Sequence, residues 1–183
     1  MQSMSELIFK IIVATPWLLM LCAFDLKERR LPNKWTLGGI AVALVYCLGY
    51  GGLSLFLQGL SAGFLCALFL LIPFILHAAG GGDVKMLFAC GILIGLGNVI
   101  NFLFFVSIAG FFVAVVMWIA GRVAIGRIKH YARCIFDWRY DRKSGRQNLP
   151  SANSEKCRVP FGVAIAAGVW MSFAWELFGG HLS

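Results

Sequence analysis

Charged residues are scarce in this chain, and acidic residues are the scarcest. Only 13% of the 183 residues are charged and 8 are Asp or Glu, whereas 60% are hydrophobic. About a quarter of the residues in a typical soluble domain are charged, so this composition excludes an ordinary soluble fold. Runs such as 64–76 and 102–120 do not alternate in polarity as membrane β-strands do. We therefore predict an all-α, polytopic membrane helical bundle.

Paired cysteine motifs and a phosphate loop are also absent. The six cysteines occur without a C-x-x-C pair, which argues against a zinc knuckle and a thioredoxin-type redox site. The glycine-rich stretch 80–85 lacks the G-x-x-x-x-G-K-[ST] spacing of nucleotide-binding loops. No small-residue cleavage site follows the first apolar run, so we expect that run to be a retained membrane span.

Long apolar stretches are present, and they predict about six transmembrane helices in a single domain covering 1–183. A bilayer core about 30 Å thick needs roughly 20 helical residues. The run 86–120 is too long for one crossing, and its Gly95-Leu96-Gly97-Asn98 segment is predicted to break it. The other predicted spans are 7–24, 35–48, 53–76, 99–121 and 159–178, with a short fourth helix between residue 86 and the break.

Positive charge is distributed unevenly along these spans. All 16 Lys and Arg residues except Lys10 fall on one face of the six-span topology, while the opposite loops 49–52 and 97–98 carry none. Basic loops stay on the cytoplasmic side, so the net charge of +8 indicates membrane topology rather than a nucleic-acid partner. Segment 122–158 is predicted to be a basic cytoplasmic loop on anionic lipid headgroups, with substrate docking or RNA contact as alternatives.

Two acidic residues, Asp25 and Asp83, lie at the ends of spans on this cytoplasmic face. A carboxylate at membrane depth is costly and usually has a partner or a function. Two carboxylates held close together come to share one proton, so that one takes a proton from water and the other donates to a carbonyl oxygen. This arrangement hydrolyses peptides without a metal ion or a covalent intermediate.

Simpler interpretations of the same residues stay open at this point. Asp83 could be the N-cap of the next helix, and the residues after Asp25 could be a basic loop that only directs topology. A metal site formed by His77 with the two aspartates is also conceivable. A small ion or proton transporter, or a non-catalytic subunit of a secretion complex, would be an alternative function.

Three segments resemble those of one protein family. Asp25 with Arg29 or Arg30, followed by Leu31-Pro32-Asn33, resembles the first motif of type IV prepilin peptidases. The stretch Gly81-Gly82-Asp83-Val84-Lys85 is similar to their G-x-G-D-x-K motif, and Pro160-Phe161-Gly162 is similar to their Pro-aromatic-Gly segment. The resemblance covers nearly the whole chain.

The resemblance implies an aspartyl endopeptidase of the bacterial inner membrane, with its active site facing the cytoplasm and Asp25 and Asp83 as catalytic residues. Its substrates would be prepilins and pilin-like proteins, from which it removes a basic leader, and its other partners would be membrane lipids. No metal or cofactor is expected. Supporting or substrate-binding roles are expected for Gly81, Gly82, Lys85, Arg29, Arg30, Pro32, Asn33, Pro160 and Gly162, although Lys85 could instead be a topogenic charge.

The chain departs from the larger members of that family. Those members carry an insert with paired C-x-x-C motifs and also N-methylate the new terminus. Here only the eight residues from Leu26 to Asn33 separate Asp25 from the second predicted span. The chain therefore resembles the small members associated with Flp or Tad pili, and we expect neither zinc nor methyltransferase activity.

Overall fold

The computed structural model describes residues 4–28, 31–75, 80–119 and 161–179, and every element in these ranges is helical. The predicted all-α membrane bundle is thus confirmed. By length and composition, four stretches are able to cross a membrane, namely Met4–Glu28, Asn33–Leu71, Leu96–Met117 and Phe161–Gly179. The helices are α1 (Met4–Glu28), α2 (Asn33–Ile75), α3 (Gly81–Ile94), α4 (Val99–Ile119) and α5 (Phe161–Gly179), with a 3₁₀ turn at Leu96–Asn98 between α3 and α4.

Helix α2 contains a sharp bend at Gly52. Its φ of 62° and ψ of −155° lie in a backbone region that is essentially restricted to glycine. A Cβ built on Gly59 would lie 3.1 Å from the Cys47 Sγ, so the second half of α2 returns alongside the first. These halves coincide with the second and third predicted spans, while the count of six crossings remains a prediction.

The predicted break after α3 is also present. Gly95 has a φ of 83° and a ψ of 163°, again in the glycine region, and its N–H donates to the Gly91 carbonyl. The start of α3 differs from the prediction, because the helix begins at Gly81 rather than near Met86. The Asp83 carboxylate accepts a hydrogen bond from the Gly80 N–H, and this offsets the low helix propensity of the preceding glycines.

Small residues occupy the helix crossings, as expected where lipid supplies no hydrophobic force between helices. A Cβ built on Gly91 of α3 would lie 2.7 Å from the Cys66 Sγ of α2, and one on Gly168 of α5 would lie 2.5 Å from Val106 of α4. The core between the helices is apolar. Its largest fully buried side chains include Leu18, Leu21, Met86, Phe102 and Ile165.

The described helices bring two groups of residues to opposite ends of the bundle. The end of α1 and the starts of α2, α3 and α5 lie together, as the contacts of Asp25 with Gly162 and of Lys85 with Asn33 demonstrate. We call this the aspartate end. The start of α1, the bend at Gly52, the break at Gly95 and the end of α5 form the far end.

Candidate active site

Asp25 lies in the last turn of α1 and is only 5% exposed. It packs against the first turn of α5, where a Cβ built on Gly162 would lie 2.8 Å from Asp25 Oδ2 and 3.2 Å from Asp25 Cγ. Real Cβ atoms essentially never lie within 3.0 Å of another heavy atom, so the Oδ2 contact could not form without a shift. Glycine at position 162 therefore makes room for the Asp25 carboxylate between α1 and α5.

Asp83 lies in the first turn of α3 and is 8% exposed. Its Oδ2 accepts a hydrogen bond from the Gly80 N–H at 2.9 Å. Gly80 is the N-cap residue and Asp83 is the third residue of the helix, so Asp83 does cap α3, but from the third helical position rather than as the N-cap residue itself. A carboxylate in this position is favoured because it accepts from an otherwise unsatisfied N–H and lies near the positive end of the helix dipole.

The segments that carry the two aspartates touch each other. A Cβ built on Gly82 would lie 2.7 Å from the Leu31 Cβ and 3.3 Å from the Leu31 carbonyl oxygen. Nearby, the Lys85 Nζ donates a hydrogen bond of 2.9 Å to Asn33 Oδ1. The start of α3 is therefore held against the short connection that follows Asp25, and both acids lie at one end of the bundle.

The Pro32-Asn33 pair forms the beginning of α2. The Pro32 carbonyl accepts hydrogen bonds from the N–H groups of Trp35 and Thr36, and the Thr36 hydroxyl donates to the Asn33 carbonyl. Proline suits this position because it has no N–H that would be left unsatisfied at a helix start. The turn directs the Asn33 side chain to Lys85.

For the remaining candidate residues the structure gives either no close contact or no description. Gly81 is exposed, and a Cβ built on it would make only an ordinary contact of 3.4 Å with Phe74. The described parts of the chain contain no group of three His, Cys, Asp or Glu side chains arranged to hold a metal ion. The predictions for Arg29, Arg30, His77, Pro160 and the loop 122–158 lie outside the described residues.

A family model described as the type IV leader peptidase family matches residues 12–115. This range is more than half of the 183 residues and includes both aspartates. The chain belongs to the type IV leader peptidase family. No curated protein and no solved structure matches the chain. The family resemblance is thus confirmed, and this leader peptidase is a membrane peptidase whose family implies pilin-like substrates in general.

The amino-acid sequence of this leader peptidase does not reveal which residues of the three motifs contact one another. The contact between Gly162 and Asp25 joins a segment beyond the matched range 12–115 to the first motif. The packing of Gly82 on Leu31 joins the first motif to the second. The glycines at these two helix starts were the only sign of such contacts in the sequence, because glycine allows another group to approach the backbone closely.

Proposed function

We propose that this leader peptidase is an aspartyl endopeptidase that removes the basic leader from prepilins and pilin-like proteins, with Asp25 and Asp83 as its catalytic residues. The observation that carries the proposal is the burial of both carboxylates at the aspartate end, within the range matched by the family. Buried carboxylates are costly unless they serve a partner or a reaction.

The proposed reaction uses the two acids in opposite protonation states. The ionised member of the pair takes a proton from a water molecule, whose oxygen attacks the scissile carbonyl carbon. The protonated member donates its proton to the carbonyl oxygen, giving a tetrahedral intermediate. As the C–N bond breaks, the newly protonated aspartate donates its proton to the departing amine, and the other aspartate takes a proton from a hydroxyl group of the intermediate, so the pair is left with one proton.

The supporting residues of the proposed site have separate positioning roles. The Gly80 N–H holds Asp83 Oδ2, and this fixes the carboxylate relative to the first turn of α3. Gly162 leaves space for Asp25, and the hydrogen bond between Lys85 and Asn33 ties α3 to α2. Two carboxylates that act on the same carbonyl group must be held in fixed positions, because a small displacement of either one lowers the reaction rate.

The proposed orientation puts the aspartate end at the cytoplasmic face of the bacterial inner membrane. Among the described residues, Lys27, Lys34 and Lys85 lie at this end, and basic residues favour the cytoplasmic side. A pilin-like substrate would then present its hydrophobic helix to the membrane and its leader to the aspartates. The short connection after Asp25 supports a relation to the Flp or Tad type, without N-methylation.

The proposal is tested by co-expressing the chain with a candidate prepilin and following leader removal on gels and by mass spectrometry. Asp25→Asn and Asp83→Asn should each abolish cleavage while membrane insertion stays normal. Glu28→Gln is the matched control, because Glu28 lies three residues after Asp25 in the same helix turn but is exposed. It should cleave as the wild type does.

Two outcomes would contradict the proposal. Cleavage that persists in either aspartate variant would refute the catalytic pair. A wild-type protein that inserts correctly but cleaves none of the pilin-like substrates of its own genome would favour a non-catalytic assembly subunit.

A further inference from the structure

The second half of α2 carries a line of exposed residues that includes polar side chains at membrane depth. Its members are spaced alternately by four and three residues, namely Ser54, Gln58, Ser61, Leu65 and Leu68, and all five are exposed. A repeat of about 3.5 residues is the spacing of helices that pack side by side over a long distance. We call these five residues the α2 seam.

The α2 seam faces away from the other described helices. The opposite side of the same half of α2 packs on α3, since a Cβ built on Gly63 would lie 2.9 Å from the Ile92 side chain and one on Gly91 would lie 2.7 Å from the Cys66 Sγ. The centre of the seam lies roughly 150° around the helix from Gly63 and Cys66. Among the candidate membrane spans in the described ranges, α2 buries the smallest share of its apolar stretch, 11% against 22–44%.

Gln58 is the seam residue that a lipid environment disfavours most. It lies six residues after the bend at Gly52, which corresponds to about 9 Å along the helix. Its Nε2 donates to the Ser54 Oγ at 3.5 Å, a long hydrogen bond, and this is the one side-chain hydrogen bond that it makes to another described residue. A second N–H and a carbonyl oxygen of the amide are left for a partner. In hydrocarbon such groups are costly unless a neighbouring helix satisfies them.

A second copy of the chain meets this requirement because of its orientation. Copies of one membrane protein insert the same way round, so α2 of one copy runs parallel to α2 of another and identical residues lie at the same depth. A two-fold axis perpendicular to the membrane then places Gln58 opposite Gln58 of the second copy. An amide is both donor and acceptor, so each Gln58 carbonyl accepts from an N–H of the other.

The hydrophobic helix of a pilin-like substrate fits the seam less well. An apolar helix offers no side-chain donor or acceptor to Gln58. The polar residues of the seam also lie in the part of α2 that follows the bend at Gly52, toward the far end, whereas the leader of a substrate must reach the aspartate end.

We propose that the protein forms a parallel, two-fold symmetric dimer in the membrane through the α2 seam, with a reciprocal hydrogen bond between the two Gln58 amides. Ser54 and Ser61 lie next to this pair on either side, and Leu65 and Leu68 continue the contact toward the aspartate end. The seam contains no residue of the proposed active site. The inference therefore goes beyond the proposed function and does not depend on cleavage.

Association is measured by Förster energy transfer between donor-labelled and acceptor-labelled copies in liposomes, over a range of protein-to-lipid ratios. The wild type should give saturable transfer that excess unlabelled protein abolishes. Gln58→Leu should weaken association about tenfold, because it removes both hydrogen bonds of the reciprocal pair. Gln58→Asn keeps an amide and should stay within about threefold of wild type.

Asn101→Leu is the matched control for the loss of the amide. Asn101 is exposed near the start of α4, outside the seam, so this variant should associate as the wild type does. Gln58 points away from the other described helices, so Gln58→Leu should fold normally, and its thermal stability in detergent should equal that of the wild type.

Disulfide cross-linking in membranes tests which face forms the contact. Ser54→Cys and Ser61→Cys should each form a disulfide with the same position of a second copy, identified by mass spectrometry of the linked peptides. Phe64→Cys is the control, because Phe64 is exposed at nearly the same depth as Ser61 but lies outside the seam. Its cross-linking yield should be at least fivefold lower.

Three results would overturn the proposal: a wild-type protein that is monomeric at every ratio, unchanged association in Gln58→Leu, or equal cross-linking at positions 61 and 64. A raised KM for a prepilin in Gln58→Leu, with no change in association, would overturn it in favour of the substrate helix as the occupant of the seam. A wild-type protein that cleaves no prepilin contradicts the proposed function, whereas energy transfer and cross-linking still decide whether the dimer forms.

Discussion

Gly162→Ala is the most informative single substitution at the proposed active site, because it adds one carbon atom at a known place. That Cβ would lie 2.8 Å from Asp25 Oδ2, 3.2 Å from its Cγ and 3.4 Å from its Cβ. Ordinary contacts begin near 3.4 Å. The carboxylate or the start of α5 must therefore move by several tenths of an ångström.

The added Cβ should affect both the stability of the protein and the rate of cleavage, and the two effects differ in size. Overpacking a well-filled site costs about 1–3 kcal/mol, so the protein should remain folded with a modestly lower thermal stability. Misplacing a catalytic group by 1 Å can cost roughly 100-fold in rate, so a displacement of about half that distance should lower kcat roughly tenfold. Binding of the prepilin helix should change little, so KM should stay close to wild type.

The assay is leader removal from a purified prepilin by the peptidase in detergent or liposomes, measured over a range of substrate concentrations. Gly38→Ala is the matched control, because Gly38 is also helical but has nothing within 4 Å of its added Cβ. It should retain wild-type kcat and stability. Wild-type kcat in Gly162→Ala, with a folded protein, would refute the view that the Asp25 carboxylate must occupy this contact.

Three further predictions concern the same end of the bundle. Gly82→Ala should lower kcat at least tenfold relative to Gly38→Ala, because its added Cβ would press on the connection after α1; equal activity would argue against close contact of the two motifs. Lys85→Gln should lower kcat/KM about fivefold, the equivalent of one hydrogen bond worth about 1 kcal/mol to Asn33, and an unchanged value would make Lys85 a topogenic charge only. Chelators such as EDTA should leave cleavage unchanged, and inhibition reversed by added metal would favour a metallopeptidase.

Much of the fold could be predicted from the sequence because the membrane imposes it. Apolar runs of sufficient length must be helical in lipid, and the breaks fall where Gly52 and Gly95 permit backbone conformations that other residues avoid. The start of α3 could not be predicted, since a glycine run ordinarily argues against a helix. The hydrogen bond from Gly80 to Asp83 reverses that expectation.

The candidate site was predictable in its residues but not in its contacts. The scarcity of acids singled out Asp25 and Asp83, since each ends or begins an apolar stretch. Which glycine touches which group depends on helix packing, and sequence spacing alone does not encode the approach of Gly162 to Asp25. The expected turn at Asn98 was found, but its hydrogen bond to Glu176 joins residues 78 apart in the chain.

The bend at Gly52 has a consequence for how the protein enters the membrane during synthesis. A straight α2 of 43 residues would be about 64 Å long, roughly twice the hydrocarbon thickness. With the bend, its halves can insert together as a helical hairpin that carries only a short, uncharged turn across the bilayer. Gly52 is exposed and lies at the far end, yet its backbone angles allow the two halves of α2 to form this hairpin.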